Sequence, residues 1–124
     1  IFGFDEDSLD MVKKTCKFSI KNNIDLVEFE ILRAYPKTRT SESIHKKRIA
    51  YGFEVKPLNM GLRRLKEEIN KAYQDFYSFK NIIRKASYYL KSFNLKYASF
   101  AVFFNIIKRR QILARIKIAR KFYH

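Results

Sequence analysis

The chain has 124 residues, a length that predicts one compact domain rather than two independent hydrophobic cores. Apolar residues make up 47% of the chain, which includes twelve Phe and eight Tyr, and this composition excludes wholesale disorder. The single cysteine, Cys16, excludes an internal disulfide and a metal clip made of two cysteines, in keeping with a reducing compartment.

The net charge of +15 is concentrated in the last third of the chain. Residues 80–124 contain twelve basic residues and no acidic one, whereas residues 1–79 contain fifteen basic and twelve acidic residues. Nucleic acid phosphates, anionic lipid headgroups and acidic protein surfaces all attract such a segment, so its charge does not choose among them. The longest nearly uncharged apolar run, residues 97–107, is shorter than the roughly 20 residues of a membrane-spanning helix. We therefore expect no transmembrane segment and no signal peptide.

The chain opens with a predicted strand and helix. Residues 1–4 (IFGF) have the composition of a strand interior, and we expect the natural chain to begin further upstream. The carboxylates of residues 5–7 follow, where a helix dipole favours negative charge. The spacing of apolar residues then predicts a helix over residues 9–22.

Residues 25–32 (DLVEFEIL) are the clearest predicted strand, because apolar residues alternate and place Val27, Phe29 and Ile31 on one face. With the preceding strand and helix they form a βαβ unit, whose two strands are parallel. Two parallel strands are too few for a stable sheet. The sequence therefore predicts part of a larger barrel or sheet.

The rest of the chain is predicted to be mainly helical. Apolar residues at three- and four-residue spacing predict a helix over residues 62–77. A second helical pattern starts at Phe79, and we expect Asn94 to interrupt it. The last predicted helix covers about residues 98–122, and its apolar stripe consists of Phe100, Phe103, Phe104, Ile107, Ile112, Ile116, Ala119 and Tyr123.

Two blocks of this sequence resemble radical S-adenosylmethionine (SAM) proteins. The first combines residues 1–7 (IFGFDED), the strand at 25–32 and residues 34–39 (AYPKTR), and it resembles the last strands of the radical SAM barrel, most closely in cobalamin-binding members. The second block, residues 56–60 (KPLNM) and 65–78, looks like the helical domain that follows this barrel. The chain departs from the family in two places. Lys37 replaces a glycine of the family's Tyr-Pro-Gly-Thr turn, and the connection between Arg39 and Lys56 lacks the tryptophan that the family generally has there.

The resemblance implies an α/β fold class with two regions. Residues 1–55 are expected to form a partial barrel, a βαβ remnant, and residues 56–124 a mainly α-helical C-terminal region with a basic tail. The family's Ile-x-Gly-x-x-Glu pattern falls on Ile1, Gly3 and Glu6. Together with Phe29 and Ile31 on the next strand, these residues are expected near the SAM site.

Intact relatives use a [4Fe-4S] cluster, SAM and cobalamin, and three cysteines in a CxxxCxxC loop hold the cluster. Cys16 alone does not provide this ligand set. The sequence therefore predicts a C-terminal fragment of a cytoplasmic radical SAM enzyme, which is not catalytically competent alone and whose partner is the remainder of the barrel. No catalytic residue and no metal ligand is assigned to the chain, and His45 and His124 are interpreted as surface residues.

The alternative interpretation is a small basic helical module without catalytic activity. Residues 80–124 interleave Lys and Arg with Phe, Tyr and Ile, as helices that bind RNA or an anionic membrane surface do. A solvated helix face gives the same pattern. The salt dependence of binding separates this hypothesis from the first, because phosphate contacts weaken steeply with added salt.

Overall fold

The computed structural model describes residues 1–44 and 48–122. Within these residues the α-helices are α1 (Leu9–Lys21), α2 (Arg39–Ser43), α3 (Leu62–Phe76), α4 (Phe79–Lys91) and α5 (Leu95–Phe122), and a 3-10 turn lies at Tyr51–Phe53. Helix accounts for 64% of the structure and strand for 5%, and the described residues form no sheet and no barrel. The fold is therefore all-α, and the predicted α/β class with a partial barrel is wrong.

The two predicted strands meet at a single point. Phe2 and Ile31 form an isolated parallel bridge, in which the Phe2 N–H donates to the Glu30 carbonyl and the Leu32 N–H donates to the Phe2 carbonyl, both over 2.7 Å. Within the described residues the other pairings are equally short antiparallel bridges, Arg33 with Glu54 and Ile49 with Val55. In the described residues the predicted βαβ unit is therefore reduced to one parallel bridge. A strand is stabilised by hydrogen bonds to neighbouring strands, and these residues provide no further strand beside it.

The helix predictions are confirmed to within a few residues. Helices α1 and α3 lie where the apolar spacing predicts them, and residues 92–94 separate α4 from α5. In α3 the predicted stripe is buried except for Leu62, which is partly exposed, and its buried members recur every three or four residues: Leu65, Ile69, Ala72, Tyr73 and Phe76.

The chain divides into two compact units. Unit 1 consists of residues 1–14 and 28–69, and unit 2 of residues 15–27 and the chain from residue 70 onward. Buried apolar residues of unit 1 are Phe2, Val12, Phe29, Ala34, Val55, Leu65 and Ile69. The division into residues 1–55 and 56–124 stays a prediction.

Helices α4 and α5 pack against each other in unit 2. The buried face of α5 carries two alanines, Ala98 and Ala101, followed by Asn105, Ile112 and Ile116. Of the predicted stripe, Ile112 and Ile116 are therefore buried as expected, and Tyr123 lies outside the described residues. The aromatic residues of the first half are exposed instead, because alanine side chains occupy the face that meets α4: Phe100, Phe103 and Phe104.

Candidate functional site

The turn after Phe2 is held by one buried carboxylate. Asp7 accepts hydrogen bonds from the N–H groups of Gly3, over 2.8 Å, and of Phe4, over 3.0 Å. Gly3 has a φ of +113°, a conformation that favours glycine over residues with a Cβ. Asp7 thus fixes the backbone at the glycine of the Ile-x-Gly-x-x-Glu pattern.

Asp5 lies in the same turn and faces a cation. Its carboxylate pairs with the guanidinium of Arg48, with Nη1 and Oδ2 3.2 Å apart. The hydrogen bond from Arg48 lowers the pKa of Asp5. Glu6 is exposed. Of the acidic residues 5–7, Asp7 therefore stabilises the turn and Asp5 forms a surface ion pair.

The residues predicted near SAM fall into two groups. Phe29 is buried beside Phe2, with ring centroids 6.1 Å apart, and Ile31 pairs with Phe2 in the bridge. Gly3 lies instead against Leu32, since a Cβ at Gly3 would be 3.5 Å from the Leu32 Cβ. Ile1 is 71% exposed and Glu6 is also exposed. All five residues belong to unit 1, and their placement near SAM stays a prediction.

Cys16 does not fit an iron–sulfur ligand. Its thiol is buried and donates to the Ala72 carbonyl over 3.3 Å. Burial raises the pKa of this thiol to about 11, and Asp75 contributes in the same direction. A cluster ligand must be a thiolate, which this surrounding disfavours. In residues 1–44 and 48–122 no group of three or more His, Cys, Asp or Glu side chains is placed to hold a metal; His45 and His124 lie outside these residues.

Unit 2 contains a buried lysine that the sequence analysis does not single out. Lys85 is 1% exposed, and its ammonium group donates to the Asp25 carbonyl over 2.8 Å and to Asn105 Oδ1 over 3.0 Å. The ammonium also lies 3.8 Å from the ring centroid of Phe76, a cation–π distance. Burial lowers the pKa of Lys85 to about 8. The spacing from Ile82 and Tyr89 places Lys85 on the apolar stripe of α4, and this is the signal that identifies it.

Other side chains fix the same stretch of chain before Glu28. The Tyr89 hydroxyl donates to the Asp25 carboxylate over 2.8 Å, and this hydrogen bond raises the pKa of Tyr89 to about 12. The Tyr77 hydroxyl donates to the Val27 carbonyl over 3.0 Å. These bonds and those of Lys85 connect residues 25–27 with the helices of unit 2. The amine of Lys85 is enclosed. We therefore interpret this cluster of Lys85, Tyr89 and Tyr77 as stabilising the fold rather than as a reactive site.

An apolar groove runs between α4 and α5 on the surface of unit 2. Its lining consists of Ala86, Leu90, Ala98, Ser99, Val102, Phe103, Ile106, Ile107 and Arg110. Beyond Leu90, Phe93 in the turn between the two helices and Leu95 at the start of α5 are exposed. Exposed lysines, Lys91 and Lys96, accompany them. This surface combines apolar side chains with positive charge.

None of the helices in the described part of the chain has the length and apolarity needed to cross a membrane. Comparison with known proteins finds no matching family model, no matching curated protein and no matching solved structure. The resemblance to radical SAM proteins therefore stays a prediction.

Proposed function

We propose that this chain derives from the C-terminal part of a cobalamin-binding radical SAM enzyme, in which it supplies scaffold rather than radical chemistry. One observation supports the proposal above the others. The segments that resemble neighbouring strands of the family meet in parallel at Phe2 and Ile31, with α1 between them. The chain itself is all-α, so the proposal concerns the origin of the chain and the chemistry of the parent enzyme.

Gly3 gives a second, independent support. The pattern Ile-x-Gly-x-x-Glu requires glycine at this position, and the backbone there adopts a φ of +113° that other residues rarely adopt. Asp7, one residue beyond the pattern, holds this conformation through two backbone hydrogen bonds. The sequence pattern and the local geometry therefore agree on the role of this glycine.

The chemistry belongs to the rest of the parent enzyme. SAM, the [4Fe-4S] cluster and cobalamin are its cofactors in this proposal, and the remainder of the enzyme is the partner of this chain. Cys16 is buried and protonated, so the cluster cysteines lie elsewhere in the parent. A reducing compartment suits a free thiol and an iron–sulfur enzyme, and we therefore place the parent in the cytoplasm.

The natural coding sequence upstream of Ile1 tests the proposal. We expect it to encode, in the same reading frame, a CxxxCxxC triplet. The longer protein, purified without oxygen and reconstituted with iron and sulfide, should bind a [4Fe-4S] cluster that a variant with the three triplet cysteines changed to Ala does not bind. The 124-residue chain should bind none. An upstream frame without the triplet, or a cluster on the 124-residue chain, contradicts the proposal.

A further inference from the structure

The turn between α4 and α5 holds an aromatic side chain away from the protein. Phe93 is 96% exposed, and its backbone adopts a φ of 52°, which is uncommon for a bulky residue. The turn is nevertheless well bonded, because the Phe93 N–H donates to the Leu90 carbonyl and the Asn94 N–H to the Tyr89 carbonyl, both over 3.0 Å. The exposure of Phe93 is thus fixed by a defined backbone.

Phe93 is one of several exposed apolar residues where α4 ends and α5 begins. Leu95 is 70% exposed and Leu90 is 48% exposed. Leu90 also lines the groove between α4 and α5, so apolar surface continues from the turn into that groove. Single exposed apolar residues are normal, but a contiguous group marks an interaction surface.

Positive charge surrounds this apolar group. Lys91 and Lys96 are exposed on either side of the turn in sequence, and Arg110 lines the groove. Residues 80–124 contain no acidic residue. A partner with apolar and anionic parts matches both features of the surface.

We propose that the α4–α5 tip, defined as Leu90, Lys91, Phe93, Leu95 and Lys96, binds the surface of an anionic lipid bilayer. The three apolar side chains enter the boundary between headgroups and acyl chains, and the two lysines contact anionic headgroups. A bilayer fits better than nucleic acid because two of the three apolar residues are leucines, which have no π face on which a base stacks.

Binding to vesicles tests this proposal. The full chain should bind vesicles of phosphatidylcholine mixed with phosphatidylserine more tightly than vesicles of phosphatidylcholine alone, and added salt should reduce the difference. The double variant F93D/L95D should bind the mixed vesicles at least about tenfold more weakly, because it removes the apolar contribution and adds two carboxylates that the anionic headgroups repel. The variant K91Q/K96Q should lose most of the preference for phosphatidylserine.

Matched controls come from α1. Phe18 is 62% exposed, and Lys17 and Lys21 are exposed, so F18D and K17Q/K21Q change the same chemistry away from the tip. Both controls should bind like the unchanged chain. Far-ultraviolet circular dichroism of each variant should show unchanged helix content, since every substituted side chain is exposed.

A fluorescence probe reports insertion directly. The chain has no tryptophan, so F93W introduces a single tryptophan at the tip, and its emission is excited selectively over that of the tyrosines. Its emission should shift to shorter wavelength with phosphatidylserine vesicles and be quenched by brominated acyl chains, whereas F18W should show neither effect. The proposal is overturned if the chain does not bind the mixed vesicles, or if F93D/L95D binds them as well as the unchanged chain does. It is also overturned if the chain binds single-stranded RNA instead of vesicles and K91Q/K96Q loses that binding.

Discussion

The two units hold their backbones in different ways. In unit 2, α4 and α5 supply their own backbone hydrogen bonds, and side chains need only pack the helices together. In unit 1, residues 28–61 depend on isolated bridges, turns and the short helix α2. Local pattern therefore specifies the helices, whereas the bridges of Phe2 with Ile31 and of Arg33 with Glu54 depend on partners more than twenty residues away in the sequence.

The units also differ in how they satisfy buried polar groups. In unit 1 the buried Asp7 accepts from two N–H groups no more than four residues away. In unit 2 the buried Lys85 reaches Asp25, sixty residues away, and Asn105 on another helix. Polar burial thus shapes one turn in unit 1 and joins three parts of the chain in unit 2.

The largest expected effect follows from removing the aromatic ring under Lys85. Phe76 is fully buried, so F76A should lower the free energy of unfolding by about 3–5 kcal/mol through lost packing and a cavity. F18A removes the same ring from an exposed site and should change it by less than about 0.5 kcal/mol. Chemical denaturation measures both. Equal effects would contradict the assignment of the core of unit 2.

The next largest effect should occur in the turn of unit 1. G3A forces alanine into a φ of +113° and should cost about 1–3 kcal/mol, although the added Cβ itself finds room. Gly61 has no such φ and no neighbour within 4 Å, so G61A should cost about 0.5 kcal/mol or less. Thermal and denaturant unfolding compare the two variants. A larger loss in G61A would show that the backbone at Gly3 is not strained for alanine.

Lys85 should give unit 2 a distinctive pH dependence. Its folded pKa of about 8 lies below the ordinary 10.5, so between these pH values the unfolded chain binds more protons and the free energy of unfolding rises with pH. Cys16 has the opposite effect, because its folded pKa of about 11 lies above 9.0 and its contribution is lost as pH rises through that range. The rise from Lys85 is therefore measured between pH 8 and pH 9, where it approaches about 1.4 kcal/mol per pH unit.

The variant K85M should remove this rise, and K80M, which changes an exposed lysine of the same helix, should retain it. Denaturant unfolding at a series of pH values provides the slopes. A rise that persists in K85M would assign the titration to another group.

The smallest expected change in the free energy of unfolding comes from removing a helix cap, and two caps can be compared. The Ser78 side chain accepts from the Asn81 N–H at the start of α4, and S78A should cost about 1 kcal/mol. Thr38 caps α2 with a reciprocal capping box, but α2 buries no side chain, so T38A should cost less. Because α2 has little tertiary packing to lose, its cap acts locally. A greater loss in T38A would mean that α2 contributes more to unit 1 than its burial indicates.

Helices were predictable here because their signal lies in residues three and four apart. Leu65, Ile69 and Phe76 suffice to place α3, and the same spacing places α1. The alternation of apolar residues at Val27, Phe29 and Ile31 predicts a strand just as clearly. Alternation identifies residues that fit a sheet, but whether a sheet forms depends on neighbours, and in the described residues only Phe2 pairs with this segment in parallel.

The α5 stripe and the Lys85 cluster show a second limit. Phenylalanine is more apolar than alanine, so hydrophobicity alone favours burial of Phe100 and Phe103. The structure buries Ala98 and Ala101 instead, where α5 meets α4. Lys85 occupies an apolar stripe that its charge would normally exclude, and the acceptors from Asp25 and Asn105 together with the ring of Phe76 explain its burial.

Hydrogen exchange at single amides tests the contrast between the units most directly. The Leu32 N–H, bonded to the Phe2 carbonyl over 2.7 Å, should be protected, whereas the Ile31 N–H, which makes no hydrogen bond within the described residues, should exchange rapidly. Buried amides of α3 and α4 should exchange most slowly. Equal, strong protection of Ile31 and Leu32 would reveal pairing on both edges of this segment and contradict the all-α account.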